Sequence, residues 1–483
     1  MGKILNLRLN FPIVGKSLFI LAGALFANAL VAILFNEPLK PFIISGSVAF
    51  SVGMLLYVLK NSGKEIESLT KKDASLIVSF SWIFFSLIGA LPYVISDSIP
   101  GFVNALFESV SGFTTTGASI LTDIEILPKS ILFWRSLTHW IGGIGIIVLV
   151  IVIMPSLKMG SYNLFIFESS VQEKIKPKIK AVGRRLLLIY FILTVAEIVL
   201  LMVGKMSLFE SVCHAFGTVA TGGFSPKNTS IIDYSPYIQY VIALFMLLAG
   251  VNFVIHYYLL KRDFQKVREN EELRFYFSVV FIIGMILTFS LYFTMNKSFE
   301  ESFREAFFQI ISIITCTGFA SADYLLWPSF AWMIIFLAMF LGGSAGSTAG
   351  GIKMVRYLVL SKNIKRFFRQ LQSPNAIINL KLNNKILSEE NNRTILSFII
   401  LYFLIFAVSS IFLVFLGNDG KTASSAVATC MAGIGPGIGT VGPVSNFAHL
   451  TDGSKMILSF LMILGRLEIY TLLILFIPNF WRS

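Results

Sequence analysis

The chain has 483 residues, of which 55% are apolar and only 13% are charged. Soluble globular proteins carry about 25% charged residues, so this composition excludes a soluble enzyme, a coiled coil and a disordered protein. It indicates a polytopic membrane protein. The formal net charge of +13 does not indicate a nucleic-acid partner, because the basic residues lie in short connectors between apolar segments.

Ten apolar runs are each long enough to cross about 30 Å of hydrocarbon as a helix. They lie near 13–35, 41–59, 75–95, 130–154, 184–204, 235–260, 275–295, 328–356, 394–416 and 455–478. The first run is longer than the apolar part of a cleavable signal peptide, and the second follows at once. We therefore interpret the first run as a retained span.

Lysine and arginine are concentrated in alternate connectors, and this asymmetry predicts the orientation of the chain. The connectors near 60–72, 158–185, 261–268 and 353–369 are rich in basic residues, whereas the connectors between them contain few. With ten spans, both termini are predicted to lie on the cytoplasmic side.

The outer connectors contain a short apolar stretch followed by a segment rich in threonine and glycine. The short stretches are Val103–Ser111, Leu208–Ala220, Glu301–Ile314 and Thr422–Met431. Each is too short to span a membrane, so each predicts a half-helix that enters and turns back. The predicted fold is all-α, with two extra N-terminal helices and four membrane–pore–membrane repeats around one central pore. The predicted boundaries are 1–62 for the extra helices and 63–158, 159–262, 263–372 and 373–483 for the repeats.

The segments after the half-helices share a glycine. They are Thr114–Ala118, Val219–Gly223, Thr315–Phe319 and Ala432–Pro436. Non-helical backbone at membrane depth is tolerated only where it is buried or lines a wet cavity. One such loop by itself would be interpreted as an ordinary turn, but four in register predict a ring of carbonyl oxygens that replaces the hydration shell of a cation. No Asp, Glu, His, Lys or Arg side chain lies in these segments, and this lack of carboxylates favours a monovalent ion such as K⁺ over Ca²⁺.

The chain resembles the Trk/Ktr/HKT family of potassium transporters, and within it the TrkH type. The resemblance covers essentially the whole chain and rests on the segments Ser111–Ala118, Ala220–Phe224, Thr315–Phe319, Gly342–Thr348, Gly435–Gly437 and Gly465–Glu468. It implies one pore per subunit and a filter made mainly of backbone carbonyls near the repeated glycines. The residues that the resemblance places in the K⁺ filter are Thr115, Thr116, Gly117, Ala220, Thr221, Gly222, Cys316, Thr317, Gly318, Gly433, Ile434 and Gly435. The fourth loop differs from the others because it contains no threonine.

The apolar run 328–356 is interrupted by a glycine-rich segment. It contains Gly342, Gly343, Ser344, Gly346, Ser347, Thr348, Gly350 and Gly351 and is closed by Lys353. Glycine costs about 1 kcal/mol in a helix interior, so the segment predicts an unwound intramembrane loop. A phosphate-binding loop does not fit, because Ile352 separates Gly351 from Lys353 and no Ser or Thr follows the lysine. Close helix packing through small residues is the alternative. By resemblance, the loop is the gate of the pore.

Arg466 lies within the last apolar run, where a charge costs about 2.5–3.5 kcal/mol on insertion scales. The resemblance places it in the pore as an electrostatic barrier to the ion. The alternative is a structural ion pair with a carboxylate of another repeat, such as Glu197. Glu468 is not the obvious local partner, because positions i and i+2 do not share a helix face.

These features predict a protein that takes up K⁺ across a bacterial plasma membrane and is not an enzyme. The membrane potential contributes about 2.3 kcal/mol per elementary charge per 100 mV, which is enough to drive cation entry. No nucleotide site is predicted in this chain. The resemblance implies a homodimer in membrane lipid, controlled by a cytosolic TrkA-like nucleotide-binding subunit. The alternative function is an alternating-access symporter coupled to Na⁺ or H⁺, although such transporters typically contain two inverted halves.

Overall fold

The computed structural model describes residues 7–59, 71–148, 175–376 and 378–481, and within them helices form nearly all of the regular secondary structure. Six helices of this part are long and apolar enough to cross a membrane, and two further pairs of helices are bent by 100° and 113°. The prediction of an all-helical polytopic membrane protein is confirmed. The predicted boundaries at 62/63 and 158/159, and the part of the predicted run 130–154 beyond residue 148, lie outside the described residues.

The first two helices, α1 (Leu7–Leu34) and α2 (Lys40–Val58), form a hairpin that packs on the first repeat. Their backbones approach closely, because a Cβ atom at Gly15 would lie 2.6 Å from the carbonyl oxygen of Gly53. Small residues permit such an approach between membrane helices. Asn28 fixes the hairpin to the first repeat by donating a hydrogen bond of 3.0 Å to the carbonyl oxygen of Ser130.

The remaining helices follow the predicted order of span, short helix and span. The first repeat contains α3 (Lys71–Gly89), α4 (Leu91–Ile95), α5 (Phe102–Phe113) and α6 (Lys129–Val148). The second contains α7 (Ile175–Val203), α8 (Leu208–Val219), α9 (Pro236–Ala249) and α10 (Phe253–Leu260). The third begins after the connecting helix α11 (Phe264–Glu269) and contains α12 (Glu271–Thr294), α13 (Phe299–Ile314), the 3₁₀ turn Tyr324–Leu326, α14 (Ser329–Ala338) and α15 (Met354–Gln372).

The fourth repeat begins with an antiparallel hairpin of two short strands. Its elements are β1 (Lys381–Leu382), β2 (Lys385–Ile386), α16 (Glu389–Phe415), α17 (Gly420–Ala432), the 3₁₀ turns Gly439–Val441 and Ile474–Phe476, α18 (Asp452–Arg466), α19 (Ile469–Leu473) and α20 (Pro478–Trp481). We call the face on which the short helices begin the outer face and the opposite face, which contains this hairpin, the inner face. The predicted boundaries at 262/263 and 372/373 lie between α10 and α11 and directly after α15.

The short helices α5, α8, α13 and α17 contain 12, 12, 16 and 13 residues. At a rise of 1.5 Å per residue they reach about 18–24 Å, which is less than a membrane requires. Side-chain caps fix where three of them start: Ser207, Ser298 and Asp419 each accept a hydrogen bond from the backbone N–H three residues on. The hydrogen bonds from Thr422 lower the pKa of the Asp419 carboxyl, so this cap is ionised at neutral pH. Each short helix packs between the two spans of its own repeat.

Two predicted spans are not continuous, which corrects the interpretation of the runs 235–260 and 455–478. The first is broken between α9 and α10, where the side chain of Asn252 accepts a hydrogen bond of 2.9 Å from the N–H of Val254 and caps the new helix. The second is broken after Arg466, where Glu468 adopts a positive φ of 59°. Apolar composition predicts that a segment is buried in the membrane, but it does not predict that the helix is unbroken.

Candidate functional site

We call residues 114–118, 220–224, 315–319 and 432–436 the re-entrant loops 1 to 4. Each loop repeats one backbone pattern, in which two residues with positive φ are separated by a third residue. The first of the two residues is Thr115, Thr221, Cys316 or Gly433, and the second is Gly117, Gly223, Gly318 or Gly435. The second position has φ between 79° and 95°, a conformation that glycine adopts far more readily than other residues.

This pattern corrects the predicted register of loop 2. We predicted from the sequence that Gly222 is the repeated glycine of loop 2. The backbone instead places Gly223 in the position of Gly117, Gly318 and Gly435. Gly222 therefore corresponds to Thr116, and the predicted residue Ala220 lies one position too early. Two consecutive glycines in the sequence gave no means of deciding which one adopts the positive φ.

The four loops meet in a closed ring. In each loop, a Cβ atom added to the repeated glycine would lie less than 3.0 Å from a carbonyl oxygen of a neighbouring loop. The pairs run in order around the ring: Gly117 with Gly222, Gly223 with Thr317, Gly318 with Ile434, and Gly435 with Thr116. All four carbonyls belong to the same position of the repeat. Chain segments more than 300 residues apart are thus brought to one centre with a consistent register.

A cavity of about 140 Å³ lies on the outer side of this ring. All four repeated glycines line it, together with side chains of the segments that follow the loops, among them Ser119, Lys227 and Asn446. The ring therefore borders a space that contains polar groups from several repeats. This is the environment in which irregular backbone is tolerated at membrane depth.

The glycine-rich segment between α14 and α15 forms a loop, residues 339–353, which we call the intramembrane loop. Its neck is closed by a parallel bridge between Leu341 and Ile352, in which the N–H of Gly342 donates a hydrogen bond of 3.0 Å to the carbonyl of Ile352. The N–H of Met354 donates to the carbonyl of Gly343 at 3.1 Å. The predicted unwinding of the run 328–356 is thus present, with a defined rather than an irregular closure.

The intramembrane loop lies against the inner ends of the short helices. The hydroxyl of Thr348 donates hydrogen bonds to the carbonyl of Val219 at 3.0 Å and to that of Ala249 at 3.3 Å. A Cβ atom added to Gly350 would collide with the carbonyl oxygen of Ala432, and one added to Gly351 would lie 3.4 Å from the sulfur of Cys316. The loop therefore contacts re-entrant elements of repeats 2, 3 and 4.

The break in repeat 2 provides a second attachment for the loop. The N–H of Ser344 donates to the carbonyl of Gly250 at 2.9 Å, and the N–H of Phe253 donates to the carbonyl of Gly346 at 3.1 Å. Within the loop, the hydroxyl of Ser347 donates to the carbonyl of Ser344, and the amine of Lys353 donates to the carbonyl of Ala349. The backbone groups that the broken helix releases are thus satisfied by the loop.

Arg466 is buried at the end of α18, with 7% of its surface exposed. Its Nη1 donates a hydrogen bond of 2.8 Å to the carbonyl of Thr348, and its Nη2 donates one of 3.0 Å to the carbonyl of Gly142. In the described part of the chain no carboxylate lies within ion-pair distance of Arg466, so an ion pair with Glu197 is not formed. Glu468 pairs instead with Arg356 at the start of α15.

Comparison with known proteins agrees with this architecture. The profile of the family described as "TrkH: Cation transport protein" matches residues 38–483. The Trk system potassium uptake protein TrkH of Escherichia coli K12 is 36% identical over 480 residues, which cover 98% of both chains. The chain belongs to the TrkH family.

Other TrkH-family relatives and a solved structure match over a similar length. The Trk system potassium uptake protein TrkG of Escherichia coli K12 is 34% identical over 461 residues, or 94% of each chain. The crystal structure of the potassium transporter TrkH from Vibrio parahaemolyticus superposes with a TM-score of 0.90 at 32% identity, covering 99% of this chain and 100% of that one. The predicted resemblance is confirmed, and the chain is a multi-pass membrane protein of a transport family.

The chain also contains residues that support the re-entrant loops and that we did not predict from the sequence. In each repeat, a polar side chain of the short helix holds the end of the re-entrant loop or the segment that follows it. The contacts are Glu108 with the N–H of Ile120 at 3.0 Å, His214 with the hydroxyl of Ser225 at 3.1 Å, Ser312 with the carbonyl of Phe319 at 2.7 Å, and Ser425 with the carbonyl of Ile438 at 2.8 Å. The residue is a glutamate in repeat 1, a histidine in repeat 2 and a serine in repeats 3 and 4. A polar residue inside an apolar half-helix was the signal available in the sequence.

The Glu108 contact is part of a buried ion pair. Arg135 of α6 donates from Nε to Glu108 at 2.9 Å, and the two side chains are at most 2% exposed. The guanidinium of Arg135 also stacks over the ring of Phe224, 4.1 Å from its centroid, and Phe224 is the last residue of re-entrant loop 2. The pair therefore fixes loop 1 and loop 2 to each other.

Hydrogen bonds also join the segments that follow the re-entrant loops, with at least one at each junction between repeats. They join Asp123 to Asn228 at 2.8 Å, Ala320 to Ile231 at 3.0 Å, Gly437 to Tyr324 at 2.6 Å and Ser119 to Phe447 at 2.8 Å. These contacts hold the segments that line the cavity above the re-entrant loops. They involve backbone groups in most cases, and for that reason no sequence pattern predicts them.

Proposed function

We propose that the protein takes up K⁺ across the bacterial plasma membrane, and that the re-entrant loops form its selectivity filter. The observation that supports this most directly is the closed ring in which the carbonyl groups of Thr116, Gly222, Thr317 and Ile434 meet the repeated glycines. Carbonyl oxygens in such a ring replace the hydration shell of a cation. Each short helix also directs the negative end of its dipole towards the ring. The relatives named above are potassium uptake proteins.

The proposed K⁺ ligands are backbone carbonyls of the three central positions of each loop. For loops 1, 3 and 4 these are the residues predicted from the sequence, Thr115–Gly117, Cys316–Gly318 and Gly433–Gly435. For loop 2 the proposal shifts by one residue, to Thr221–Gly223. The ion is cargo in this proposal, and no resident cofactor or nucleotide is assigned to the chain.

The intramembrane loop is the proposed gate. It lies between the inner ends of the short helices of repeats 2 and 4, through its contacts with Val219 and Ala432. An ion leaving the ring towards the inner face would meet this loop and the guanidinium of Arg466, which repels a cation in a region of low dielectric. Opening the path requires the loop to leave these contacts.

The proposed orientation places both termini in the cytoplasm and the outer face outside the cell. We also propose a homodimer and a cytosolic, nucleotide-binding TrkA-like partner. The names of the relatives, which describe parts of a Trk system, support a protein that works with other components.

Flux measurements on the full chain in liposomes test the filter. Gly318→Ala introduces a Cβ atom at a positive φ, against the carbonyl of Ile434, and we expect Rb⁺ uptake to fall at least about tenfold. Gly420→Ala is the matched control, because Gly420 lies at the start of α17 with no atom within 4 Å of the new Cβ. A K⁺-uptake-deficient bacterium at low K⁺ should grow less well with Gly318→Ala than with Gly420→Ala. Equal Rb⁺ uptake by the two variants would contradict the proposal.

A further inference from the structure

Glu272, in the first turn of α12, contacts the intramembrane loop directly. Its side chain is buried, with 1% of its surface exposed. One carboxyl oxygen, Oε1, accepts two backbone hydrogen bonds, from the N–H of Ala345 at 2.8 Å and from the N–H of Val355 at 3.0 Å. A single side-chain atom thus holds two points of the chain that are ten residues apart.

These two amides follow the two arms of the intramembrane loop. Ala345 lies in the loop after the arm that contains Leu341 and Gly343, whereas Val355 lies in the first turn of α15, directly after the arm that contains Ile352. The backbone bridge of the neck joins the arms to each other, whereas Glu272 joins both arms to α12. Hydrogen bonds to a carboxyl oxygen in a buried environment are among the stronger ones in proteins, so this contact fixes where the loop sits.

The same turn of α12 is attached to the inner face through the preceding residue. The N–H of Glu271 donates a hydrogen bond of 2.8 Å to the side-chain oxygen of Asn383, in the turn between β1 and β2. The carboxylate of Glu271 pairs with Lys362 of α15. Adjacent residues therefore contact the intramembrane loop and the inner-face hairpin.

We propose that Glu272 is the positioning residue that holds the intramembrane loop in the closed conformation of the gate. The first turn of α12 then connects this loop to the hairpin of residues 381–386. The proposal rests on the assignment of the loop as the gate. It adds the residue through which a displacement at the inner face reaches the gate. A cytosolic partner that moves the hairpin would pull on Glu271 and so on the oxygen that holds both arms of the loop.

Three variants of the full chain test the positioning role of Glu272. Glu272→Ala removes the shared acceptor, Glu272→Gln keeps an oxygen at the same reach, and Asp73→Ala removes a buried carboxyl at the start of α3 that contacts Asn10 instead of the loop. Each is reconstituted in liposomes without any partner and tested for Rb⁺ and Na⁺ uptake. Hydrogen–deuterium exchange is measured on the peptides that contain Ala345 and Val355.

We expect Glu272→Ala to speed exchange at both amides at least about tenfold and to raise basal Rb⁺ uptake severalfold, with an unchanged ratio of Rb⁺ to Na⁺. Asp73→Ala should resemble the unmodified chain in both measurements, and Glu272→Gln, which keeps an acceptor oxygen without the charge, should lie between the unmodified chain and Glu272→Ala. A variant that is merely misfolded would lose Rb⁺ uptake and selectivity. In that case Glu272→Asp decides between the two explanations, because its carboxyl group is one methylene shorter and lies farther from both amides.

The two readouts distinguish this proposal from the one on which it rests. Faster exchange without higher uptake would mean that Glu272 positions the loop but that the loop is not the gate. Unchanged exchange at Ala345 and Val355 in Glu272→Ala, or in Glu272→Asp where the alanine variant does not fold, would overturn the positioning role itself.

Discussion

Arg466 and Thr348 are joined by a hydrogen bond of 2.8 Å from the guanidinium to the backbone carbonyl, although they lie 118 residues apart in the chain. Arg466 ends a broken helix of repeat 4, and Thr348 lies at the tip of the intramembrane loop of repeat 3. The buried guanidinium therefore has two consequences. It places a positive charge beside the proposed ion path, and it ties the loop in place.

Arg466→Ala should raise Rb⁺ uptake severalfold, because it removes both the charge and the donor to Thr348. Arg466→Lys keeps the charge but offers a single ammonium in place of a fork that reaches Thr348 and Gly142, so we expect an intermediate rise. Liposome flux at matched protein content measures both. Loss of uptake together with loss of folded protein in Arg466→Lys would indicate a structural role instead.

The register of re-entrant loop 2 predicts different results for two adjacent glycines. Gly223→Ala should reduce Rb⁺ uptake at least about tenfold, because its φ is positive and its Cβ would meet the carbonyl of Thr317. The three atoms nearest to a Cβ at Gly222 all belong to the imidazole ring of His139, which is a side chain.

Adding the substitution His139→Ala to each glycine variant distinguishes the two registers of loop 2. It removes the obstacle at Gly222, so Gly222→Ala/His139→Ala should recover uptake relative to Gly222→Ala. It leaves the backbone of Thr317 in place, so Gly223→Ala/His139→Ala should not recover. Rescue of the Gly223 variant would show that the register inferred from the backbone is incorrect.

Features that depend on local composition could be predicted from the sequence. The apolar length of the spans, the short helices and the glycine-rich interruption before Lys353 are all encoded by neighbouring residues, and the structure contains each of them. The order of the four re-entrant loops followed from their recurrence along the chain. Glycine content located these loops to within one residue.

Features that depend on distant partners could not be predicted. The break between α9 and α10 contains Gly250 and Asn252 within an otherwise apolar run. Its backbone groups are bonded by Ser344 and Gly346, almost a hundred residues later. Glu272 lies in a polar first turn like that of many helices, and only the fold brings it to Ala345. In both cases the deciding contact is a backbone group, which has no signature in the sequence.

Gly350→Ala tests whether the intramembrane loop must lie against the short helix of repeat 4. A Cβ atom there would overlap the carbonyl oxygen of Ala432, a backbone atom that cannot rotate away. The loop must shift, and we expect basal Rb⁺ uptake to rise severalfold. Gly23→Ala, in open space on α1, is the control. A fall in uptake with an altered ratio of Rb⁺ to Na⁺ would mean that the substitution deformed the filter and left the gate closed.

The buried pair of Glu108 and Arg135 predicts a stability effect that depends on which partner is removed. Glu108→Gln or Arg135→Met alone leaves one buried charge unpaired, which typically costs about 3–5 kcal/mol. The double variant Glu108→Gln/Arg135→Met removes both charges and should recover a large part of that cost. Thermal unfolding of the detergent-solubilised protein measures the three midpoints, and the ratio of Rb⁺ to Na⁺ uptake measures the loops that the pair holds. Because Arg135 stacks on Phe224 and Glu108 binds the segment after loop 1, the single variants should also discriminate less well between the two ions. Additive losses in the double variant would show that the two side chains act independently.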